Sequence, residues 1–211
     1  MTTTMRTRGR PAGSTGEDLL SIAREVFLER GYAGTSMDEV ARRARISKAS
    51  LYREHASKSA LYAAVVRQWA AAGRDAMRPG LERLQGSADL REGLVELADT
   101  MRAGILSEPV LAMRRLVTAE AATRPDVAAT YLAESWERNI GDLAEALGGI
   151  AASGRLRVED PAAAAEQFTW LVVGAPLNAR LLGGGSESTP VSRAVDLFLA
   201  AYAPQGREAR R

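Results

Sequence analysis

The sequence DEVARRARISKASLYRE, residues 38–54, contains the strongest indication of the fold. Two helices that cross through a tight turn need a small residue where their backbones approach and apolar residues on their facing sides. Ala41 supplies the small residue, and a set of apolar residues is spaced so that its members share one buried side. This set consists of Val40, Ala44, Ile46 and Leu51. The pattern predicts a helix-turn-helix whose second helix spans residues 48–55 and is capped by Ser47.

The outer face of that second helix is polar and lies in the most basic part of the chain. The side chains predicted to face outward are Lys48, Ala49, Ser50 and Arg53. Residues 42–58 carry six basic residues against one acidic residue and include both lysines of the protein, although the whole chain has a net charge of only +2. A basic helix of this kind favours entry into the major groove of duplex DNA. A solvated helix face on an inert helical hairpin is the alternative.

The composition limits the classes of protein that the chain can belong to. Its 211 residues are 46% hydrophobic and 26% charged, which is typical of a globular protein with one compact domain or a small domain plus a larger one. The sequence contains no cysteine, which excludes disulfides and thiolate metal sites and fits a reducing compartment. The polar, basic start and the lack of a long apolar run indicate a cytoplasmic protein without a signal peptide.

Apolar residues recur at steps of three and four along most of the chain, so we predict an all-α protein with no sheet. The first helix is expected to run from Glu17 to Gly31, the second to begin after Thr35 or Ser36, and the fourth to run from Ser57 to about Met77. Pro79-Gly80 is expected to end that fourth helix. Longer helices are predicted over residues 88–106, 109–123, 126–152, 160–182 and 189–203.

These patterns predict a small DNA-binding domain followed by a larger helical domain in the same chain. The four predicted parts are a flexible basic arm over 1–16, a three-helix helix-turn-helix DNA-binding domain over 17–62, a helical effector-binding and dimerisation domain over 63–204, and a tail over 205–211.

The stretch FLERGYAGTSMDEVARRARISKASLYREHASKSALYAAVV, residues 27–66, resembles the N-terminal domain of TetR-family regulators. The residues that carry the resemblance are Phe27, Gly31-Tyr32, Thr35-Ser36, Val40-Ala41, Ile46-Ser47-Lys48, Ser50-Leu51-Tyr52, Ser57-Lys58 and Leu61. Residues 114–132 and 160–174 are similar to the C-terminal domain of AefR-like members of that family. The resemblance implies a one-component transcription regulator, with repression as the family's usual mode of action.

The resemblance also implies roles for individual residues. Phosphate contacts are expected from Thr35, Ser36, Tyr52 and Lys58. In the basic N-terminal arm, Arg8 and Arg10 resemble arginines that enter a narrow minor groove, with a disordered tail as the alternative. The complete predicted DNA-binding set is Arg8, Arg10, Thr35, Ser36, Arg45, Ser47, Lys48, Ala49, Ser50, Tyr52, Arg53, His55 and Lys58.

Two positions depart from the family pattern. Arg45 occupies the turn position that is usually glycine, so a left-handed turn would hold it at positive φ at a cost of about 1 kcal/mol. His55 replaces an aromatic residue and is interpreted as a packed or partly exposed structural histidine, with a phosphate donor or a proton-sensitive element as alternatives. If it is proton-sensitive, operator affinity should change between about pH 5 and 8, and the variant His55→Phe should alter that profile.

The last two predicted helices are apolar on more than one side, which favours a homodimer; a monomer core is the alternative. Two recognition helices must reach successive major grooves about 34 Å apart, and a two-fold dimer meets that requirement. The predicted interface residues are Phe168, Leu171, Leu177, Leu181, Val191, Val195, Phe198 and Tyr202.

A pocket for an unidentified small-molecule effector is predicted among the middle helices, as the family implies. Its candidate lining mixes methionine, aromatic and amide side chains, each of which can equally be ordinary core. These candidates are Met101, Met113, Leu116, Tyr131, Trp136, Asn139, Ile140 and Trp170.

An enzyme is the main alternative class of protein, and the sequence contains few of the motifs that would indicate a catalytic site. One histidine and no cysteine exclude the usual zinc sites, and the glycine patterns of phosphate-binding loops are absent. We therefore expect no enzymatic activity, no cofactor and no metal. The remaining alternative is a helical adaptor without DNA binding.

Overall fold

The computed structural model describes residues 16–185 and 189–204, apart from the side chains of residues 74–76, and all regular structure in this part is helical. This confirms the predicted all-α class. The chain divides after Gln68 into two compact units, whereas the sequence placed the boundary at residues 62–63. The first unit contains α1 (Glu17–Gly34), α2 (Met37–Arg43), α3 (Lys48–Glu54) and the beginning of α4 (Lys58–Gly86).

The first unit is built on an aromatic cluster. Phe27, Tyr32 and Tyr62 place their rings 5.1–6.0 Å apart, and none of the three is more than 8% exposed. Gly31 interrupts α1 with a φ of 66°, at the position where the sequence predicted the helix to end. This break lets Tyr32 turn back into the cluster, which buries the end of α1 against α4.

The turn between α2 and α3 has the form of a Schellman motif, in which a left-handed residue ends a helix. Ile46 donates its backbone N–H to the Ala41 carbonyl at 3.0 Å, and Arg45 between them has a φ of 57°. The left-handed turn considered from the sequence is therefore present, with arginine in the place that usually holds glycine. Ser36 and Ser47 cap α2 and α3, each accepting a backbone N–H from three residues further on.

Among the described residues, the second unit contains the remainder of α4 and seven further helical segments. These are α5 (Leu90–Ile105), α6 (Glu108–Glu120), α7 (Pro125–Tyr131), a π-helical segment (Leu132–Glu137), α8 (Arg138–Ala152), α9 (Pro161–Leu181) and α10 (Val191–Tyr202). Phe168 of α9 and Phe198 of α10 meet edge to face at 5.0 Å in its core. The helix predicted over 126–152 is present as an uninterrupted run of helical residues. It contains the π-helical segment, which the sequence did not indicate.

The prediction that Pro79-Gly80 ends the fourth helix is wrong, because α4 continues to Gly86. An internal proline costs a helix about 3 kcal/mol. Leu81 and Leu84 beyond it are 8% and 0% exposed, and burying each contributes about 1.5–3 kcal/mol. Core packing therefore offsets the cost of the proline. Pro176 is tolerated within α9 in the same way, since it is itself buried.

No helix in the described ranges is both long enough and apolar enough to cross a membrane.

Replacing Arg45 with glycine should stabilise the protein. A residue with a Cβ is strained at a φ of 57°, and glycine removes that strain, so we expect Arg45→Gly to raise the free energy of unfolding by about 1 kcal/mol. Urea unfolding followed by circular dichroism measures the change. Arg45→Ala is the control, because it removes the guanidinium and keeps the Cβ; equal stability of the two variants would contradict the explanation.

Candidate functional site

The exposed face of α3 presents the side chains expected to read DNA. Ala49 and Arg53 are exposed, Tyr52 is 42% exposed, and Ser50 is half-buried. Leu51 is fully buried between them and fixes the rotation of the helix. The arrangement leaves one polar side of a short helix open to a partner.

Hydrogen bonds arrange the polar groups at the start of α3. The Ser47 and Ser50 hydroxyls lie 2.9 Å apart, and Arg53 donates to the Ser50 hydroxyl at 3.3 Å. Lys48 forms an ion pair with Asp38 of α2 at 2.7 Å, which raises the pKa of the lysine. Both partners of this pair are more than half exposed, so it is weak and can be exchanged for a phosphate.

The basic stretch over residues 42–58 is less available than its charge count indicates. Arg42 and Arg43 both bind Glu39, and Arg43 also binds Glu29 of α1 at 2.6 Å. These arginines lower the pKa of the Glu39 carboxyl, chiefly through the hydrogen bond from Arg42. Glu29 and Glu39 lie outside the window in which the charges were counted, which is why the sequence overestimated the free positive charge.

Within the described residues, Arg45 and Arg53 are the cations of that stretch whose side chains bind neither a carboxylate nor a backbone carbonyl. Both are exposed, one in the turn and one on α3. Ser36 is also exposed, and its hydroxyl can donate a proton while accepting the α2 backbone N–H. Together with Lys48, these residues form an exposed, positively charged part of the surface.

Thr35 and Lys58 do not have the phosphate-binding geometry that the sequence implied. Thr35 is 3% exposed, and its hydroxyl donates to the Gly31 carbonyl at 2.8 Å. The Lys58 ammonium donates to the carbonyls of Tyr32, Ala33 and Thr35 at 2.8–3.3 Å. An ammonium has three N–H groups, and here all three are engaged. Both residues stabilise the connection between α1 and α2, and their phosphate contacts stay predictions that this geometry disfavours.

His55 ends α3 and is half-buried, in agreement with a structural histidine. Its backbone N–H donates to the Leu51 carbonyl at 2.8 Å. Burial lowers the pKa of the imidazole below 6.5, while Glu54 opposes and Arg67 reinforces this shift. Because the unfolded chain takes up the proton first, stability falls as the pH drops below about 6.5. An effect of this proton on operator affinity stays a prediction. The predicted arm residues Arg8 and Arg10 lie outside the described residues.

The second unit contains a cavity of about 330 Å³. Five of the eight residues proposed from the sequence lie on its wall: Met101, Tyr131, Trp136, Asn139 and Ile140. Met113 and Leu116 are buried but are not on that wall, and Trp170 is 47% exposed and packs against Trp136 at 5.3 Å. The sequence missed Trp69, Thr169 and Arg114, although Arg114 follows the wall residue Val110 by four positions and so shares its helix face.

The residues predicted for a dimer interface divide into two groups. Five of them are at most 6% exposed within their own subunit, so they form core and not interface: Phe168, Leu177, Val191, Val195 and Phe198. Leu181 and Tyr202 are half-buried, and Leu171 is 43% exposed. The large apolar side chains that α9, α10 and the residue after α9 leave exposed are Trp170, Leu171, Leu182 and Leu197.

A helix-turn-helix with an open basic second helix, followed by a larger all-helical unit, defines a one-component DNA-binding transcription regulator. Two family models match the chain: "Bacterial regulatory proteins, tetR family" over residues 19–65, and "AefR-like transcriptional repressor, C-terminal domain" over residues 92–204. The chain belongs to the TetR family, whose members are transcription regulators that bind DNA as dimers, and not enzymes.

Solved structures show the same fold over nearly the whole chain. A TetR-family regulator from Mesorhizobium loti has a TM-score of 0.83 at 26% identity, covering 88% of this chain and 95% of that one. The flavonoid-responsive regulator FrrA has a TM-score of 0.70 at 28% identity, covering 89% and 96%. The transcriptional activator FasR of Mycolicibacterium smegmatis is 50% identical over 50 residues, 24% of this chain. The chain spans 23–44% of the length of FasR and of two further curated relatives, the regulators MftR of Mycobacterium tuberculosis and YdeS of Bacillus subtilis.

The two lysines of the chain should differ in their effect on stability. Lys58→Met leaves three carbonyls at the end of α1 without their donor, and we expect it to lower the free energy of unfolding by about 1–3 kcal/mol. Lys48→Met removes only an exposed ion pair and should change it by less than about 0.5 kcal/mol. Urea denaturation of both variants measures the difference, and equal effects would contradict the structural role of Lys58.

Proposed function

We propose that this protein is a transcriptional repressor that binds a palindromic operator as a homodimer and leaves it when a small effector binds. The observation that carries the proposal is the open face of α3, where Arg53, Tyr52 and Ser50 lie beside the cation of the turn, Arg45. Arginine and hydroxyl groups are the usual donors to base edges and phosphates in the major groove.

Repression is supported by the family match of the C-terminal part of the chain, the part that binds ligands in such regulators. The AefR-like repressor model covers residues 92–204, which include most of the second unit and most of the residues on the cavity wall. FasR is named an activator, but its similarity covers only 50 residues and therefore concerns a small part of this chain. We accordingly favour repression, with activation as the opposite outcome of the test below.

The effector site that we propose is the cavity of the second unit. Its volume of about 330 Å³ is at the lower end of the range for small-ligand sites, and its wall combines aromatic and apolar side chains with a few polar groups. FrrA is described as flavonoid-responsive, which is compatible with an aromatic effector for the present chain as well.

DNA binding can be tested with the purified full chain and a duplex selected from a random-sequence library. We expect the logarithm of the affinity to fall linearly with the logarithm of the salt concentration, because bound phosphates release counterions. Arg53→Ala should weaken binding of the selected duplex about tenfold to a hundredfold. Fluorescence anisotropy measures both effects, and transcription in vitro from a promoter carrying the duplex should fall when the protein is added.

The matched control is Arg30→Ala, which removes an exposed arginine of α1 outside the helix-turn-helix and should leave the affinity within about twofold. Binding that is absent or indifferent to salt would favour the helical adaptor and contradict the regulator. Increased transcription would contradict repression but not DNA binding.

The homodimer that we propose uses the exposed apolar side chains of α9 and α10. Trp170 and Leu171 on α9 and Leu197 on α10 are 43–63% exposed, and such side chains mark an interface when they are grouped. Members of the family act as dimers, and a two-fold axis would present two copies of α3 to successive turns of DNA.

Leu171→Glu should produce a monomer, since it places a charge in an apolar interface. Its mass from sedimentation should be half that of the unmodified dimer. The control is Leu132→Glu, which adds the same charge at a leucine of similar exposure in the π-helical segment and should leave the dimer intact. Sedimentation velocity distinguishes the two variants. A Leu171→Glu protein that stays dimeric would place the interface elsewhere.

A further inference from the structure

The cavity of the second unit contains two polar atoms that no protein group satisfies. Arg114 Nε and Asn139 Oδ1 are both buried without a hydrogen-bond partner, and both residues lie on the cavity wall. The hydroxyls of Thr100 and Thr169, also on that wall, donate to the carbonyls of Glu96 and Ala165 and are therefore satisfied. A buried donor or acceptor left unpaired is costly, so this pair of atoms indicates the polar groups of a ligand.

Arg114 differs from two other half-buried arginines of the same unit, Arg102 and Arg115. Arg102 donates to the carbonyls of Val172 and Thr189, and Arg115 donates to the carbonyl of Arg180 and to Glu108. The guanidinium groups of those two arginines are thus engaged by backbone carbonyls. The guanidinium of Arg114 instead lies over the ring of Trp136, 5.0 Å from its centroid.

The charge of the cavity favours an anion. Arg114 is the one charged residue on its wall, and no carboxylate lines it among the described residues. A cation in the wall without a carboxylate disfavours positively charged ligands and favours a carboxylate, which accepts two parallel hydrogen bonds from an arginine.

The body of the ligand is indicated by the remaining wall. Trp69, Tyr131 and Trp136 supply aromatic faces, and the π-helical segment carries Ser135 and Trp136 into the wall. A π-helical turn within an α-helix is rare and is frequent at functional sites. Asn139 follows this turn, and its carboxamide oxygen can accept a hydrogen bond from the ligand.

We propose that the effector is an aromatic monocarboxylic acid that also carries a hydrogen-bond donor. Its carboxylate pairs with Arg114, its ring packs against Trp136 and Tyr131, and its hydroxyl or ring N–H donates to Asn139. This inference rests on the proposed effector-dependent function and adds the chemical class of the ligand.

Two matched series of probes test the class of ligand with the full chain. One series is para-hydroxyphenylacetate, its amide and tyramine; the other is indole acetate, its amide and tryptamine. Within each series the shape and the donor are constant and the headgroup is anionic, neutral or cationic. In isothermal titration calorimetry we expect the acid to bind at least about tenfold more tightly than the amide, and the amine to bind most weakly.

Variants assign the preference to individual residues. Arg114→Met should weaken binding of the acid about tenfold to a hundredfold and make the acid and the amide equal. Arg114→Lys should keep part of the preference, because it keeps the charge. Arg115→Met is the matched control: it removes the neighbouring arginine, which is not on the wall, and should leave the ratio of acid to amide unchanged. Asn139→Leu should weaken all members of a series by a similar factor.

The inference is overturned if neither acid binds more tightly than its amide, whether both bind or neither does, or if Arg114→Met keeps the preference. Should Arg114→Met fail to fold, the wild-type ratio and Arg114→Lys decide the question. Binding of the selected duplex is measured on the same samples. Intact DNA binding without a preference for acids refutes the ligand class alone, whereas acids that bind through Arg114 but do not release DNA refute the effector role alone.

Discussion

The helix-turn-helix depends on the ammonium of Lys58 and its three carbonyl partners. The last carbonyls of a helix have no partner within the helix, and the break at Gly31 adds to this deficit where α1 ends. Lys58, at the start of α4, donates to Tyr32, Ala33 and Thr35 and also lies over the ring of Tyr32 at 4.5 Å. One charge thus joins the first and last helices of the unit, and α2 and α3 are held between them.

Periodicity and capping residues were sufficient to predict the reading unit. The caps at the starts of α2 and α3 are interactions within three residues, although the sequence left Thr35 and Ser36 both open as the first cap. The left-handed turn at Arg45 was considered because the resemblance places a glycine there, and the structure contains it. The roles of Thr35 and Lys58 could not be found in this way. Their hydrogen-bond partners depend on where α1 is interrupted and on how α4 packs against it. The carbonyls that Lys58 contacts are 23–26 residues away in the sequence.

The second unit shows a different limit of sequence reasoning. A helix that is apolar on several sides gives no indication of which side meets its own core and which meets a partner. Phe168 and Leu171 are three residues apart on α9, yet one is fully buried and the other 43% exposed. The rotation of α9 is set by its packing on α5, α8 and α10, which are distant in sequence. The cavity was predicted more fully, since five of the eight candidates lie on its wall and four of these fall within residues 131–140, along α7, the π-helical segment and α8.

In an all-helical protein, the partners of the basic side chains distinguish structural cations from functional ones. Helix ends and internal prolines leave backbone carbonyls unpaired. Lys58 and Arg115 donate to carbonyls near helix ends, and Arg102 donates to the carbonyl of Val172, four residues before Pro176 in α9. A cation engaged in this way has few donors left for a ligand, whatever its position in a family pattern. Arg53 on the open face of α3 and Arg114 in the cavity have no carbonyl of this kind. One lies where a phosphate or base would bind and the other where a carboxylate would, so the same criterion identifies both candidate sites.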